Sequence, residues 1–104
     1  PYQPQINNVT DNFQFQATDV ADITWIYTYQ WLNTSDSATI NQSTVVNGGS
    51  ATVTVSDSTG TQLYSQPLSA NGTFGMLKGS PGHWTIRVQF FQYAGTVNFR
   101  VQKQ

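Results

Sequence analysis

The chain contains no cysteine, so a disulfide framework, a thiolate metal site and a cysteine nucleophile are all excluded. Charge is also scarce: the 104 residues include five Asp, no Glu and four Lys or Arg, and the net charge is −1. A chain with so little charge does not attract a polyanion, so nucleic acid is not an expected partner. No apolar stretch approaches the ~20 residues that a membrane span needs.

Uncharged polar residues replace the missing charges. Ser, Thr, Asn and Gln make up roughly two-fifths of the chain, far from the charged surface of an average globular domain. Their hydration does not depend on external pH or salt, which suits a protein outside the cell. No basic, apolar leader precedes Pro1. We therefore expect the mature part of a secreted or cell-surface protein.

Helix-forming patterns are missing too, and alternation of apolar and polar residues takes their place. Thr and Val are frequent, and Gly, Asn, Asp or Ser interrupt the alternation about every ten residues, which is typical of a sandwich or barrel. We predict one all-β domain over residues 1–104, a single antiparallel β-sandwich of jelly-roll or immunoglobulin-like type. Its roughly eight strands are predicted over residues 11–17, 22–33, 37–46, 50–57, 61–66, 72–77, 83–92 and 95–103.

The first of two predicted hairpins joins residues 50–57 to residues 61–66. A three-residue loop with Gly60 in the left-handed bulge position places Val55 opposite Leu63. Asp57 is then expected to accept hydrogen bonds from the backbone of the turn.

The second predicted hairpin joins residues 83–92 to residues 95–103 through a loop at 93–94 or 92–95. It pairs the apolar faces of the two strands: Phe90 with Val97, Val88 with Phe99, and Ile86 with Val101. On the outer face it sets Arg87 opposite Arg100, an unfavourable pairing of like charges. Either water and a nearby Asp11 or Asp36 screen the two arginines, or they contact an anion or a partner chain.

The same region resembles a known group of domains. Residues 79–88 (GSPGHWTIRV) and 95–101 (GTVNFRV) resemble the closing strands of small secreted jelly-roll-type sandwiches, including bacterial pre-peptidase C-terminal domains. In those domains a Pro-Gly turn leads an aromatic residue into an inward-alternating strand. The resemblance implies a non-catalytic accessory domain of a secreted protein.

Large aromatic residues are concentrated in residues 23–33. The odd positions of this segment share one strand face and include Trp25, Tyr27, Tyr29 and Trp31. We predict that this face belongs to the core. The alternative is an exposed aromatic platform on which a sugar stacks, which would make the chain a carbohydrate-binding module.

Catalytic and metal-binding groups are few. His83 follows a Pro-Gly turn, and no G-x-S-x-G elbow accompanies it, so charge-relay hydrolysis is not predicted. The Asp residues lie in turn-like contexts rather than as a catalytic pair. We expect no enzyme and no cofactor. Asp19 and Asp22, with Asp57 or Asp36 nearby, offer oxygen ligands to Ca²⁺, although their spacing matches no EF-hand and turn capping is the preferred interpretation.

Four Asn-x-Ser/Thr sequons are candidate glycosylation sites, at Asn8, Asn33, Asn41 and Asn71. Turn chemistry is the preferred interpretation, because a chain so rich in Ser and Thr contains such triplets by chance.

Two prolines, Pro1 and Pro4, favour an extended N-terminal arm over residues 1–9. The arm either closes its own sandwich or pairs with the edge of a neighbouring molecule. Taken together, the sequence predicts a non-catalytic extracellular structural or interaction module, such as an adhesion or accessory domain or a filament subunit. Its expected partner is a protein or a second copy of the chain, and glycans under the alternative.

Overall fold

The computed structural model describes residues 2–75 and 78–104. All regular elements in these residues are strands: β1 (Gln5–Val9), β2 (Asn12–Asn33), β3 (Ala38–Ser56), β4 (Gln62–Pro67), β5 (Gly72–Gly75) and β6 (Gly82–Lys103). They form one antiparallel sheet in the order β1-β2-β6-β3-β4, and β5 also pairs with β3. The all-β prediction is confirmed.

The strand count differs from the prediction because three strands are much longer than expected. β2, β3 and β6 are 22, 19 and 22 residues long, and each includes two predicted strands with the interruption between them. β1 is the additional strand that brings the total to six. The sequence predicts this segment only as an extended arm. The last two residues of the predicted strand 72–77 lie outside the described residues.

The long strands all bend at the same level. Register shifts interrupt β2 between Ala17 and Trp25, and they interrupt β3 between Val46 and Ser50. Left-handed backbone conformations occur at these bends, at Asp19 and Asp22 in β2 and at Gln92 in β6. Extra residues of this kind bend a strand without ending its pairing.

The bends divide the sheet into two halves. Half A consists of β1, β5 and residues 12–17, 38–46 and 95–103 of the long strands, and half B consists of β4 and residues 25–33, 50–56 and 82–91. Half A faces half B across aromatic contacts. The ring centroids of Phe13 and Tyr29, which lie in the same strand, are 5.4 Å apart, and those of Phe15 and Phe90 are 6.2 Å apart. One core therefore fills the space between the halves.

The second predicted hairpin is wrong. β6 runs without reversal through residues 92–95, because its two sides are paired along their length with β2 and β3. The inward alternation predicted for both segments does hold: Trp84, Ile86, Val88, Phe90, Val97, Phe99 and Val101 are all buried. Both segments contribute to the same core because the halves face each other, and not because the segments are paired.

The first hairpin has the predicted loop but a different register. Gly60 has a φ of 88°, and the Asp57 carboxylate accepts hydrogen bonds from the backbone N–H groups of Thr59 and Thr61, each at 3.0 Å. Val55, however, pairs with Tyr64 and not with Leu63, because a bulge separates Val55 from Ser56. Leu63 and Tyr64 are both buried.

The N-terminal segment packs on its own chain. β1 pairs with residues 12–16 of β2, and Tyr2 reaches the bend, where its hydroxyl accepts a hydrogen bond from the Thr18 N–H at 2.8 Å. No helix that is long and apolar enough to cross a membrane occurs among the described residues.

Candidate functional site

Among the described residues, three large apolar side chains remain exposed together at the bend of half B. Trp25, Ile26 and Phe91 are 48%, 44% and 57% exposed, and they line a shallow groove together with Thr24, Gln89 and Phe90. We call Trp25, Ile26 and Phe91 the bend patch. Monomeric proteins seldom leave adjacent large apolar side chains in water without a role, so the bend patch is the strongest candidate interaction surface.

The bulge in β6 explains why Phe91 is exposed. Phe90 and Tyr93 both face the core, at 1% and 0% exposure, although they are three residues apart. Strict alternation forbids that spacing, so the extra residue leaves both Phe91 and Gln92 outside. Gln92 has a φ of 47°, and its N–H donates to the Thr24 hydroxyl at 2.9 Å. The bulge thus aims an aromatic ring at solvent beside Trp25.

The four-residue aromatic platform, which the sequence offered as the alternative to a core face, does not form. Tyr27 and Trp31 are buried and Tyr29 is partly buried, so of the four predicted residues only Trp25 is exposed. Trp31 packs edge-on against Trp84 with ring centroids 5.9 Å apart, and its indole N–H donates to the Val9 carbonyl at 3.0 Å. The odd face therefore turns into the core beyond the bend, and Trp25 is the exception because it adjoins the bulged residues.

The strand edge beside the bend patch is open. In half B, β2 pairs with β6 on one side only, since β1 reaches no further than residue 16 of β2. The outward carbonyls of Gln30 and Leu32 accept hydrogen bonds from Asn8 and Asp11. Backbone groups alternate in direction along a strand, so those of Ile26 and Thr28 also point outward. Within residues 2–75 and 78–104, no strand pairs with them.

Arg87 and Arg100 lie in different halves of the sheet, which corrects the predicted pairing. Arg87 lies between Thr28 of β2 and Thr54 of β3, whereas Arg100 lies between Gln14 of β2 and Asn41 of β3. Both are exposed. The two arginines do not form a joint anion site, because the expected hairpin between them does not exist.

The candidate calcium ligands are also separated. Asp19 and Asp22 lie at the bend. Asp36 and Asp57 both contact the segment at Gly79 and Ser80, beyond the far end of half B and about 25 Å away along the strand. The described part of the chain holds no group of three or more His, Cys, Asp or Glu side chains placed to bind a metal.

Two aspartates instead hold turns. Hydrogen bonds from the Thr59 hydroxyl and from the Ser80 backbone N–H lower the pKa of the Asp57 carboxyl to about 2. The backbone N–H of Thr34 is the main cause that lowers the pKa of Asp11, and Lys103 lies 3.4 Å from the Asp11 carboxylate. These carboxylates are acceptors for the backbone.

The four sequon asparagines differ in accessibility. Asn33 is completely buried, and its side-chain oxygen accepts from the Ser35 N–H at 3.0 Å, so the folded chain does not present it for glycosylation. Asn8, Asn41 and Asn71 are exposed and remain candidate acceptor sites. Of these three, Asn71 is bonded through both amide atoms to the backbone of Thr44.

His83 is exposed and lies opposite Leu32 near the start of β6, at the end of half B that is away from the bend. It lines a shallow groove with Asn8, Val9, Thr10, Gln30 and Leu32. Among these described neighbours there is no acid and no serine.

Comparison with known proteins leaves the site to be interpreted from its own geometry: no family model, curated protein or solved structure matches this chain. Sequence reasoning missed two of the three bend-patch residues, Ile26 and Phe91. The adjacent pair Phe90 and Phe91, which breaks the alternation of β6, was the available signal.

Proposed function

We propose that the chain is a non-catalytic extracellular structural or interaction module that associates with a second copy of itself. The observation that carries this proposal is the bend patch lying beside the open edge of β2. An unpaired strand edge offers backbone donors and acceptors to another strand, and the adjacent apolar side chains add buried area. In fold terms, we propose that the folded sheet is a β-sandwich whose two layers share their long strands.

The outward backbone groups are complementary to themselves. In an antiparallel pairing about a two-fold axis at Tyr27, Ile26 lies opposite Thr28 of the second copy, and the reverse pair forms on the other side of the axis. All four outward N–H and C=O groups of Ile26 and Thr28 are then paired. The carbonyls of Gln30 and Leu32, which already accept hydrogen bonds within the chain, are left undisturbed.

The charge distribution favours a second copy over a charged partner. Residues 23–33 contain no charged residue and no proline, so the edge lacks the features that normally block strand pairing. A net charge of −1 also gives little repulsion between copies.

Multi-angle light scattering tests the proposal. It is measured at protein concentrations from roughly 1 µM to 1 mM, the range in which weak dimers form. The wild type should show a concentration-dependent mass that approaches the dimer. Phe91→Asp and Thr28→Lys should remain monomeric, because they place a charge in the patch and on the edge. Ser43→Lys is the matched control on an exposed central-strand position of half A and should dimerise like the wild type. A monomeric wild type at all concentrations contradicts the proposal.

A disulfide experiment tests the register separately. The chain has no cysteine, so Ile26→Cys and Thr28→Cys each introduce one thiol. Residues in a hydrogen-bonded antiparallel pair have Cα atoms ~5.5 Å apart, which is within disulfide range. The Cα atoms of diagonal neighbours lie too far apart for a disulfide. An oxidised mixture of the two variants should therefore crosslink, and either variant alone should not. Equal crosslinking in the separate samples rules out this register.

A further inference from the structure

The outer face of half A carries a second groove, chemically unlike the bend patch. It has a volume of about 410 Å³, and the described residues that line it all have polar side chains: Gln14, Thr39, Asn41, Thr73, Asn98, Arg100 and Gln102. We call these residues the amide face. They occupy the outward positions of strands whose inward positions, such as Phe13, Phe15 and Phe99, fill the core.

Strand register brings the amide face together in rows. Arg100 of β6 lies directly between Gln14 of β2 and Asn41 of β3, and Asn41 in turn lies opposite Thr73 of β5. The side chains also hold one another. The Gln14 amide donates to Asn98 at 3.3 Å, and Asn41 donates to the Thr73 hydroxyl at 2.7 Å. These bonds reduce the side-chain freedom that a ligand would otherwise have to restrict.

Arg100 supplies the single charge of the amide face. One guanidinium nitrogen donates to the Gln14 side-chain oxygen at 3.1 Å, which uses one of five N–H groups. The one ion pair found within the described ranges joins Lys103 to Asp11, so Arg100 has no carboxylate partner there. An exposed guanidinium with free, fork-shaped donors is suited to a bidentate carboxylate.

We propose that the amide face binds an acidic saccharide, with Arg100 contacting the carboxylate of a hexuronate unit. The neighbouring amides of Gln14, Asn41, Asn98 and Gln102 keep donor and acceptor capacity beyond the bonds within the amide face, because each amide nitrogen carries two hydrogens and each oxygen two lone pairs. This capacity matches the hydroxyls of a sugar ring. The groove volume is adequate for a small ligand of this kind. This site is separate from the bend patch and does not depend on self-association.

The lining argues against other ligand classes. Among the residues that the structure describes, no aromatic or aliphatic side chain lines the groove, so these residues give a lipid chain or an apolar peptide anchor nothing to pack against. One arginine among neutral amides gives too little positive charge for a polyphosphate or nucleic acid. A ligand with one carboxylate and many hydroxyls matches the inventory best.

Arg87 is the internal control for this proposal. It has the same charge and is also exposed on β6, but its register neighbours are Thr28 and Thr54 instead of amides. Arg87→Gln and Arg100→Gln therefore make the same change in net charge at two sites of different surroundings.

A titration of the isotope-labelled protein with a galacturonic acid trisaccharide tests the proposal. The titration is followed through the chemical shifts of the backbone and side-chain amides. The wild type and Arg87→Gln should bind with equal affinity and show shifts at the amide face. Arg100→Gln should bind about tenfold more weakly, since a charge-assisted pair is lost. A neutral trisaccharide of the same length should bind the wild type about tenfold more weakly than the acidic one.

Three outcomes overturn the proposal. The first is the absence of shifts at the amide face at millimolar trisaccharide. The second is equal weakening by Arg87→Gln and Arg100→Gln, which indicates a diffuse charge effect. The third is displacement of the trisaccharide by sodium sulfate at equal concentration, which indicates an anion site without sugar recognition.

Discussion

At the residue scale, Asp57 has the carboxylate that accepts the most hydrogen bonds among the described residues. One oxygen accepts from the Thr59 hydroxyl at 2.7 Å and from the N–H groups of Thr59 and Thr61 at 3.0 Å. The other oxygen accepts from the Ser80 N–H at 2.9 Å and so ties the β3–β4 turn to the segment that precedes β6. These bonds favour the ionised form and lower the pKa of Asp57 to about 2 from an ordinary 3.8.

This depressed pKa predicts acid sensitivity. The stabilising effect of Asp57 is fully present above the unfolded-state pKa of 3.8 and is lost as the pH falls through about 2. Asp57→Asn should lower stability above pH 4, because the introduced amide nitrogen cannot accept the Ser80 N–H. It should also flatten the decline in stability toward pH 2. Urea denaturation midpoints at a series of pH values provide the measurement, and parallel wild-type and variant curves would contradict this role of Asp57.

At the scale of the element, the bends determine how the long strands are used. Gly95 lies at the bend of β6 with a φ of 145°. A Cβ atom there would overlap the Val45 carbonyl and approach the Tyr93 hydroxyl to 2.7 Å. Tyr93 is fully buried, and burial raises its pKa to about 12. Its hydroxyl donates to the Val45 carbonyl at 2.7 Å, so this bend joins β6 to β3.

Replacement of this glycine tests the importance of the bend. Gly95→Ala should cost about 3–4 kcal/mol of unfolding free energy, from backbone strain and from overlap in a packed site. Gly60→Ala is the matched control, because Gly60 has a positive φ of 88° but no atom within 4 Å of the added Cβ. It should cost only the strain, about 1–2 kcal/mol. Equal losses in chemical denaturation would show that packing at the bend is not critical.

Sequence patterns predict strand faces better than strand connections. The inward alternation of residues 84–90 and 97–101 is evident in the sequence, and the structure buries those positions. The connection between them is not evident, because Gln92 and Gly95 have the residue types of a turn and of a bulge alike. Pairing to β2 and β3 on both sides, which is a long-range feature, decides in favour of the bulge.

The same limit applies to the candidate site. An aromatic strand face is predictable from residues 23–33, but the exposure of Trp25 depends on bulged residues in β2 and β6. The joint position of Gln14, Asn41 and Arg100 depends on the register of three strands that are distant in sequence. Local periodicity signals the bulge in β6 only through the adjacent Phe90 and Phe91, and it contains no information about the register of distant strands.

For the whole molecule, the N-terminal segment completes the fold. It joins half A to half B: β1 pairs with residues 12–16, and the Tyr2 carbonyl accepts from the Tyr27 hydroxyl at 2.8 Å. The Val9 carbonyl accepts from the indole of the fully buried Trp31. Exchange of the arm between molecules would therefore require each copy to give up these contacts and regain them on its neighbour.

Deletion of residues 1–9 should lower the unfolding free energy markedly, because the buried Trp31 indole N–H loses its acceptor at a cost of about 1–3 kcal/mol in addition to the loss of β1. A synthetic peptide of residues 1–9, added at millimolar concentration, should raise the melting temperature of the truncated protein. The edge of β2 that pairs with β1 in the full chain is unoccupied after the deletion and can accept the peptide. A scrambled peptide of the same composition is the control. Rescue by the native peptide alone would show that the segment can bind another molecule's edge, as exchange within an assembly requires. A truncated protein as stable as the full chain would show instead that β1 contributes nothing to either role.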